Sequence, residues 1–101
     1  MNNTSFDKKH LRALGHKLKP VVTIAGKGVS ETVSDEINRA LNDHELIKIK
    51  ITVDRDSRQK RIEEICNNSG AKVIQSIGGI ALILRRSDKP NARLSNLIRR
   101  I

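Results

Sequence analysis

Lys27 stands between two glycines in the run Val21-Val22-Thr23-Ile24-Ala25-Gly26-Lys27-Gly28-Val29-Ser30. These residue types at this spacing suit the capture of an anion, most often a phosphate oxygen. Glycine lets a ligand approach the main chain with no Cβ in the way, and Lys27 adds a mobile charge. Four β-branched residues followed by Ala25 favour a short buried strand, and Pro20 before them forbids helical continuation. Ser30 is a good N-cap for the periodic segment that follows. A strand that delivers a glycine loop to a helix start offers free N–H groups at the positive end of a dipole. A plain strand-to-helix turn would use the same glycines only for their dihedrals. Glu31, in the first helical turn, would also compete with a phosphate for that dipole.

Other spacings that chemistry would need are missing. No G-x-x-x-x-G-K-[ST] string occurs, and the dinucleotide-like run from Gly26 has Glu31 where a third glycine belongs. His10, His16 and His44 have no Cys or His partners at metal spacing. Asp54 and Asp56 are explained by capping, and Cys66 by core packing. The expectation is therefore a protein that is not an enzyme, with no metal, cofactor or small-molecule substrate.

The chain has 101 residues and a net charge of +9, which is one domain with a polyanionic partner. Phe6 is the only aromatic. Recognition of single strands by stacked aromatic platforms is thereby excluded, as are RRM-like and OB-like modes. Recognition of backbone and shape remains, in structured RNA or in DNA. The lone Cys66, the polar N-terminal residues and the strand-sized longest apolar run, residues 80–84, point to a reducing cytoplasm with no membrane partner.

The elements that would position the loop follow from periodicity. Ser5 is expected to cap a first helix to about residue 18, with Leu11, Leu14 and Leu18 on one face and Lys8, Lys9, His10, Arg12, His16 and Lys17 on the others. A second helix, about 31–42, has Val33, Ile37, Ala40 and Leu41 as its stripe and a mostly acidic remainder. Residues 46–53 alternate as a strand, with Ile47, Ile49, Ile51 and Val53 inward and Lys48, Lys50 and Thr52 outward. Asp54 or Asp56 caps a third helix that Gly70 ends, with Ile62, Ile65 and Cys66 inward. Residues 72–77 and 80–84 flank Gly78-Gly79 as a hairpin. Beyond residue 86 a basic tail is expected, its Leu94, Leu97, Ile98 and Ile101 forming a small docking stripe. The α-β-α-β-α-β-β order, with two parallel right-handed crossovers and an antiparallel return, is a two-layer α/β sandwich on a four-stranded mixed sheet.

Cations are placed where helix dipoles disfavour them. Lys8 and Lys9 open the first helix, and Arg55, Arg58, Lys60 and Arg61 crowd the start of the third. A basic surface flanking the glycine loop gives that charge a purpose.

The element order, the run Leu18-Lys19-Pro20-Val21-Val22 into Ala25-Gly26-Lys27-Gly28, and His44-Glu45-Leu46-Ile47-Lys48-Ile49-Lys50 resemble the CRM domain (chloroplast RNA splicing and ribosome maturation), in its stand-alone YhbY form. The similarity covers about residues 11–86. It implies a fold similar to the C-terminal domain of translation initiation factor three, with the fourth strand between the second and third. It also implies RNA binding on precursors of the large ribosomal subunit. The family loop, G-x-x-G, is likened to the KH loop that clamps a nucleic-acid backbone. Here Ala25 replaces its first glycine, while Lys27 and Gly28 match. The expected RNA-binding residues are Ala25, Gly26, Lys27 and Gly28, with Lys8, Lys9, Arg12, His16, Lys17, Arg58, Lys60 and Arg61. A monomeric domain over 1–86 and a tail over 87–101 complete the expectation. A DNA-binding architectural protein is the alternative from another class.

Overall fold

The computed structural model describes residues 7–25 and 28–98. The order is α1 (Lys8–Gly15), β1 (Pro20–Ile24), α2 (Glu31–His44), β2 (Leu46–Ile51), α3 (Arg55–Ser69), β3 (Lys72–Ile77) and β4 (Ile80–Leu84). The sheet runs β1-β2-β4-β3, with β1 parallel to β2 and β4 antiparallel to both of its neighbours. This is the α/β sandwich that element order implies, with the last strand inserted between β2 and β3.

Each face of the sheet has its own apolar cluster. Val22, Ile24, Ile47, Ile49, Ile51, Ala81 and Ile83 meet Ile37 and Leu41 of α2 and Ile62 and Ile65 of α3. On the reverse face, Leu11 of α1 packs with Leu46 and Leu82, joined by the partly buried Leu14, Leu18, Ile74, Leu84 and Leu97. Strict alternation along β2 produces this division: odd positions feed the first cluster, while Leu46 and the two lysines turn to the second face. Full burial of each Ile or Leu contributes about 1.5–3 kcal/mol, so the larger cluster carries most of the stability.

Three local expectations are corrected. β1 is not a buried strand but an edge strand: only Val22 and Ile24 are buried, and Val21 and Thr23 are exposed. Pro20 fits there, since an edge position has a free side where a missing N–H costs nothing. Asp7 caps α1, its carboxylate accepting from the His10 N–H at 2.8 Å, whereas Ser5 lies outside the described residues. That carboxylate offsets the charge of Lys8 and Lys9 against the dipole. α1 also ends early, and Lys17 and Leu18 continue it as tighter turns through bonds to the Leu14 and Gly15 carbonyls.

α2 extends through His44, and the chain leaves it at Glu45 with φ 62°, a left-handed conformation rare for a side chain of that size. What holds it is a polar network. The buried Glu45 carboxylate accepts from the Ser95 hydroxyl and from the Ser87 N–H, both at 2.6 Å. The Asn96 amide donates to the Leu46 carbonyl at 2.7 Å, and the Asn96 N–H to the His44 carbonyl at 2.9 Å. Residues 87–96 are therefore tied to the α2–β2 junction. Of the expected docking stripe, Leu97 joins the second cluster, Leu94 and Ile98 stay exposed, and Ile101 lies outside the described residues.

Candidate nucleic-acid interface

The strands β1 and β2 end side by side, and the glycine loop starts there. Thr52 fixes the exit of β1: its N–H donates to the Ile24 carbonyl at 2.9 Å and its hydroxyl to the same oxygen at 3.3 Å. Gly28 has φ +102°, which a residue with a Cβ adopts only under strain. Two residues later Ser30 caps α2 by accepting from the Val33 N–H at 3.1 Å. Gly26 and Lys27 lie outside the described residues, and Ala25 is exposed.

The guanidinium of Arg61 lies against the loop. A Cβ built on Gly28 would meet Arg61 Cζ at 3.6 Å. One turn earlier on α3, Arg58 backs the Gly78-Gly79 hairpin, where a Cβ on Gly79 would fall 3.9 Å from Arg58 Nε. The same Cβ would sit 2.7 Å from the Ile51 carbonyl oxygen, so only glycine lets the hairpin close on β2. The Ile51 N–H completes that closure by donating to the Gly79 carbonyl at 2.7 Å. Arg58 and Arg61, three residues apart on one helix face, thus connect the glycine loop to the hairpin.

Their charge is only partly used inside the domain. Arg61 Nη1 pairs with Glu64 at 2.9 Å within α3. The Nε atoms of Arg58 and Arg61 are shielded from solvent and have no hydrogen-bond partner among the described residues. No cation of α1 or α3 pairs with the carboxylates of α2 among the described residues. Asp54, the cap of α3, accepts from the Ser57 N–H at 3.2 Å. Hydrogen bonding with the Ser57 side chain first, then with its N–H, holds the Asp54 carboxyl below the usual range against an opposing effect of burial.

The remaining expected site residues are spread more widely. His16, exposed at the end of α1, comes beside Ile77 and Ile80 on the reverse face of the sheet, and exposed Lys17 follows it. Lys8 and Lys9 open the same helix, with Lys8 about 12 Å from His16 along the axis. Arg12 is half-buried between them. Lys60 lies on the outer flank of α3 with Glu63 and Glu64, in a shallow surface of mixed charge. The structure therefore joins Gly28, Arg58 and Arg61 closely, brings His16 to the same end from the other face, and leaves the α1 lysines and Lys60 apart. Cys66 is half-buried against the core, and burial pushes its thiol up, which fits packing and not nucleophilic chemistry. Among the described residues no cluster of His, Cys, Asp or Glu has metal-holding geometry, and no helix is long and apolar enough to cross a membrane.

Two features were missed in the sequence. Gly79 as the seat of Arg58 gave a signal only as half of a hairpin turn. Arg85 gave none: it reaches across to donate to Asn38 Oδ1 and the Ser69 carbonyl at 2.8 and 2.7 Å, and to the Asn38 carbonyl and Asn42 Oδ1 at 3.1 and 2.9 Å.

Comparison with known proteins finds relatives along most of the chain. A probable RNA-binding protein of Pseudomonas aeruginosa is 46% identical over 97 residues, covering 95% of this chain and 93% of that one. An RNA-binding protein of Haemophilus influenzae is 41% identical over 88 residues, 86% of this chain and 89% of the other. The solution structure of a hypothetical protein from Staphylococcus aureus, described as a candidate RNA-binding protein, superposes with a TM-score of 0.71 at 28% identity, covering 81% and 86% of the two chains. The family model of the CRS1 / YhbY (CRM) domain matches residues 4–85, from ahead of α1 to the end of β4, and the chain belongs to that family.

Proposed function

We propose that this protein binds structured RNA through phosphates and A-form shape, and that its target is rRNA in precursors of the large ribosomal subunit. The observation that carries the RNA reading is the meeting of Gly28, Gly79, Arg58 and Arg61 at one end of the sheet, in a chain of charge +9. Two turns that present glycine at the point of approach and two incompletely used guanidinium groups suit a sugar-phosphate backbone, which needs close approach and positive charge. Relatives named as RNA-binding proteins support the same partner, and the family resemblance supplies the ribosomal precursor. The Ala25–Gly28 loop clamps the backbone in the manner of a KH loop, with Lys27 as its charge. Lys8, Lys9, Arg12, His16, Lys17 and Lys60 extend the field that draws the polyanion in. The protein acts as a cytoplasmic monomer and not as an enzyme.

A filter-binding titration with rRNA fragments across salt concentrations tests the reading. The salt slope should fall by about one unit for each phosphate-contacting cation removed. Affinity no better than that of an equally basic unrelated domain would sink the proposal. Competition between duplex RNA and duplex DNA separates it from an architectural DNA binder: clear preference for DNA would overturn the choice. Cross-linking in a bacterial lysate should place the protein on precursor particles and not on mature ribosomes.

A further inference from the structure

α1 covers only part of its sheet face. Past its end, His16, Lys48, Gln75, Ile77, Ile80 and Leu82 line a hollow of about 210 Å³. Strand register builds it. Lys48 pairs with Leu82, which pairs with Gln75, and Lys50 pairs with Ile80, which pairs with Ile77. The lining thus combines three aliphatic residues with three polar ones, and it includes no carboxylate. Lys48 and Gln75 are half-buried, yet neither of their side chains nor the His16 ring makes a hydrogen bond or ion pair with any described residue. Ile77 is 66% exposed, an unusual state for an isoleucine beside a concave surface.

We infer that this hollow receives one unpaired nucleobase of the bound RNA, an inference that rests on the RNA reading above. The volume is below the roughly 300–1,000 Å³ of sites for larger ligands, so it suits a single flat heterocycle. Ile77 and Ile80, with the buried Leu82 at the floor, offer an apolar surface for the face of the base, and the His16 imidazole can stack on it. The Gln75 amide supplies a donor and an acceptor side by side, which matches a base edge. Lys48, with Lys50 two positions on along β2, faces carbonyl or phosphate oxygens. Charge complementarity favours a nucleotide over a protein side chain, because the surface is cationic and lacks acids. Continuity favours it as well. Ile77 and Ile80 flank the Gly78-Gly79 turn that Arg58 backs from the other face. An RNA bent around that turn sets phosphates on the glycine loop and a base in the hollow. A single base also agrees with a chain that has no Trp or Tyr to stack a longer run.

Two RNA hairpins of equal charge test this, one fully paired and one carrying a single bulged nucleotide. The wild-type protein should bind the bulged RNA about tenfold more tightly, the effect of one stacked base. Gln75→Ala and Ile77→Ser should abolish that preference, while affinity and salt slope for the fully paired RNA stay unchanged, since neither substitution alters charge. Absence of preference in the wild type, or its survival in both variants, overturns the inference and leaves the backbone reading standing. Failure of the wild type to bind either RNA overturns both. A readout independent of variants is nuclear magnetic resonance of the wild type with adenosine and uridine monophosphates. Shifts of the Gln75 side-chain amide and His16 ring signals are expected, and unmoved signals would count against the site.

Discussion

Arg85 and the pair Arg58–Arg61 occupy opposite ends of the same sheet and are used in opposite ways. At the end where β2 begins and β4 finishes, Arg85 spends its guanidinium on four bonds to α2 and α3, including the Ser69 carbonyl at the end of α3. Beside it the Glu45 carboxylate is buried with Ser87 and Ser95 as donors. At the end where β2 finishes and β4 begins, Arg58 and Arg61 rest on glycine turns, and of their guanidinium donors only Arg61 Nη1 has a hydrogen-bond partner among the described residues. The lesson is that a count of basic residues does not locate a binding surface. A cation whose donors are consumed internally is structural, and one held in place without being consumed is available to a ligand.

Substitutions at the two ends should separate accordingly. The largest effect on stability is expected for Glu45→Ala, which strands the buried Ser95 hydroxyl, keeps a positive-φ backbone and releases Ser87 from its anchor. A loss of about 3 kcal/mol in chemical denaturation is expected, with RNA affinity unchanged below the melting transition. Arg85→Met should cost about 2 kcal/mol, again without altering the salt dependence of RNA binding. If either variant weakens binding while folded, the contrast between the two ends fails.

At the other end the signs reverse. Arg58→Gln with Arg61→Gln should lower the RNA salt slope by about two units, with thermal stability equal or slightly raised because cations leave the first turns of α3. Lys27→Ala should weaken binding by a smaller amount without unfolding. Lost stability with unchanged binding would instead assign the arginines to the fold and the loop to a simple turn. The smallest effect is expected at Asp54. Its carboxyl is held below the usual range by hydrogen bonding with the Ser57 side chain and, less, with its N–H, so the charged form is favoured in the folded state. The cap's contribution is therefore fully present above the ordinary carboxylate range and is lost as pH falls through the lowered folded value. Asp54→Asn should keep the cap and flatten that part of the acid limb in thermal melts, whereas an unchanged acid limb would mean the cap does not titrate there.

Local chemistry made much of this molecule legible from its residues. Ser30 and Asp54 cap their helices as their side-chain oxygens allow, Gly70 ends α3 with φ 77°, and Ile47, Ile49 and Ile51 share one face because strand periodicity permits nothing else. The glycine loop was legible for the same reason: Gly28 needs its positive φ whatever the partner is. Each of these depends on a few neighbours along the chain. Tertiary structure alone decided the rest. Insertion of β4 beside β2, which the family resemblance implied and no local preference dictates, set Gly79 against Ile51 and Arg58 and opened the hollow between Lys48 and Gln75. It also brought Ser95 to Glu45 across 50 positions of sequence and turned a glutamate at a helix exit into the anchor of the C-terminal segment. Closures over such separations leave no periodic trace, because what selects them is the complementarity of packed surfaces and not the preference of any single residue.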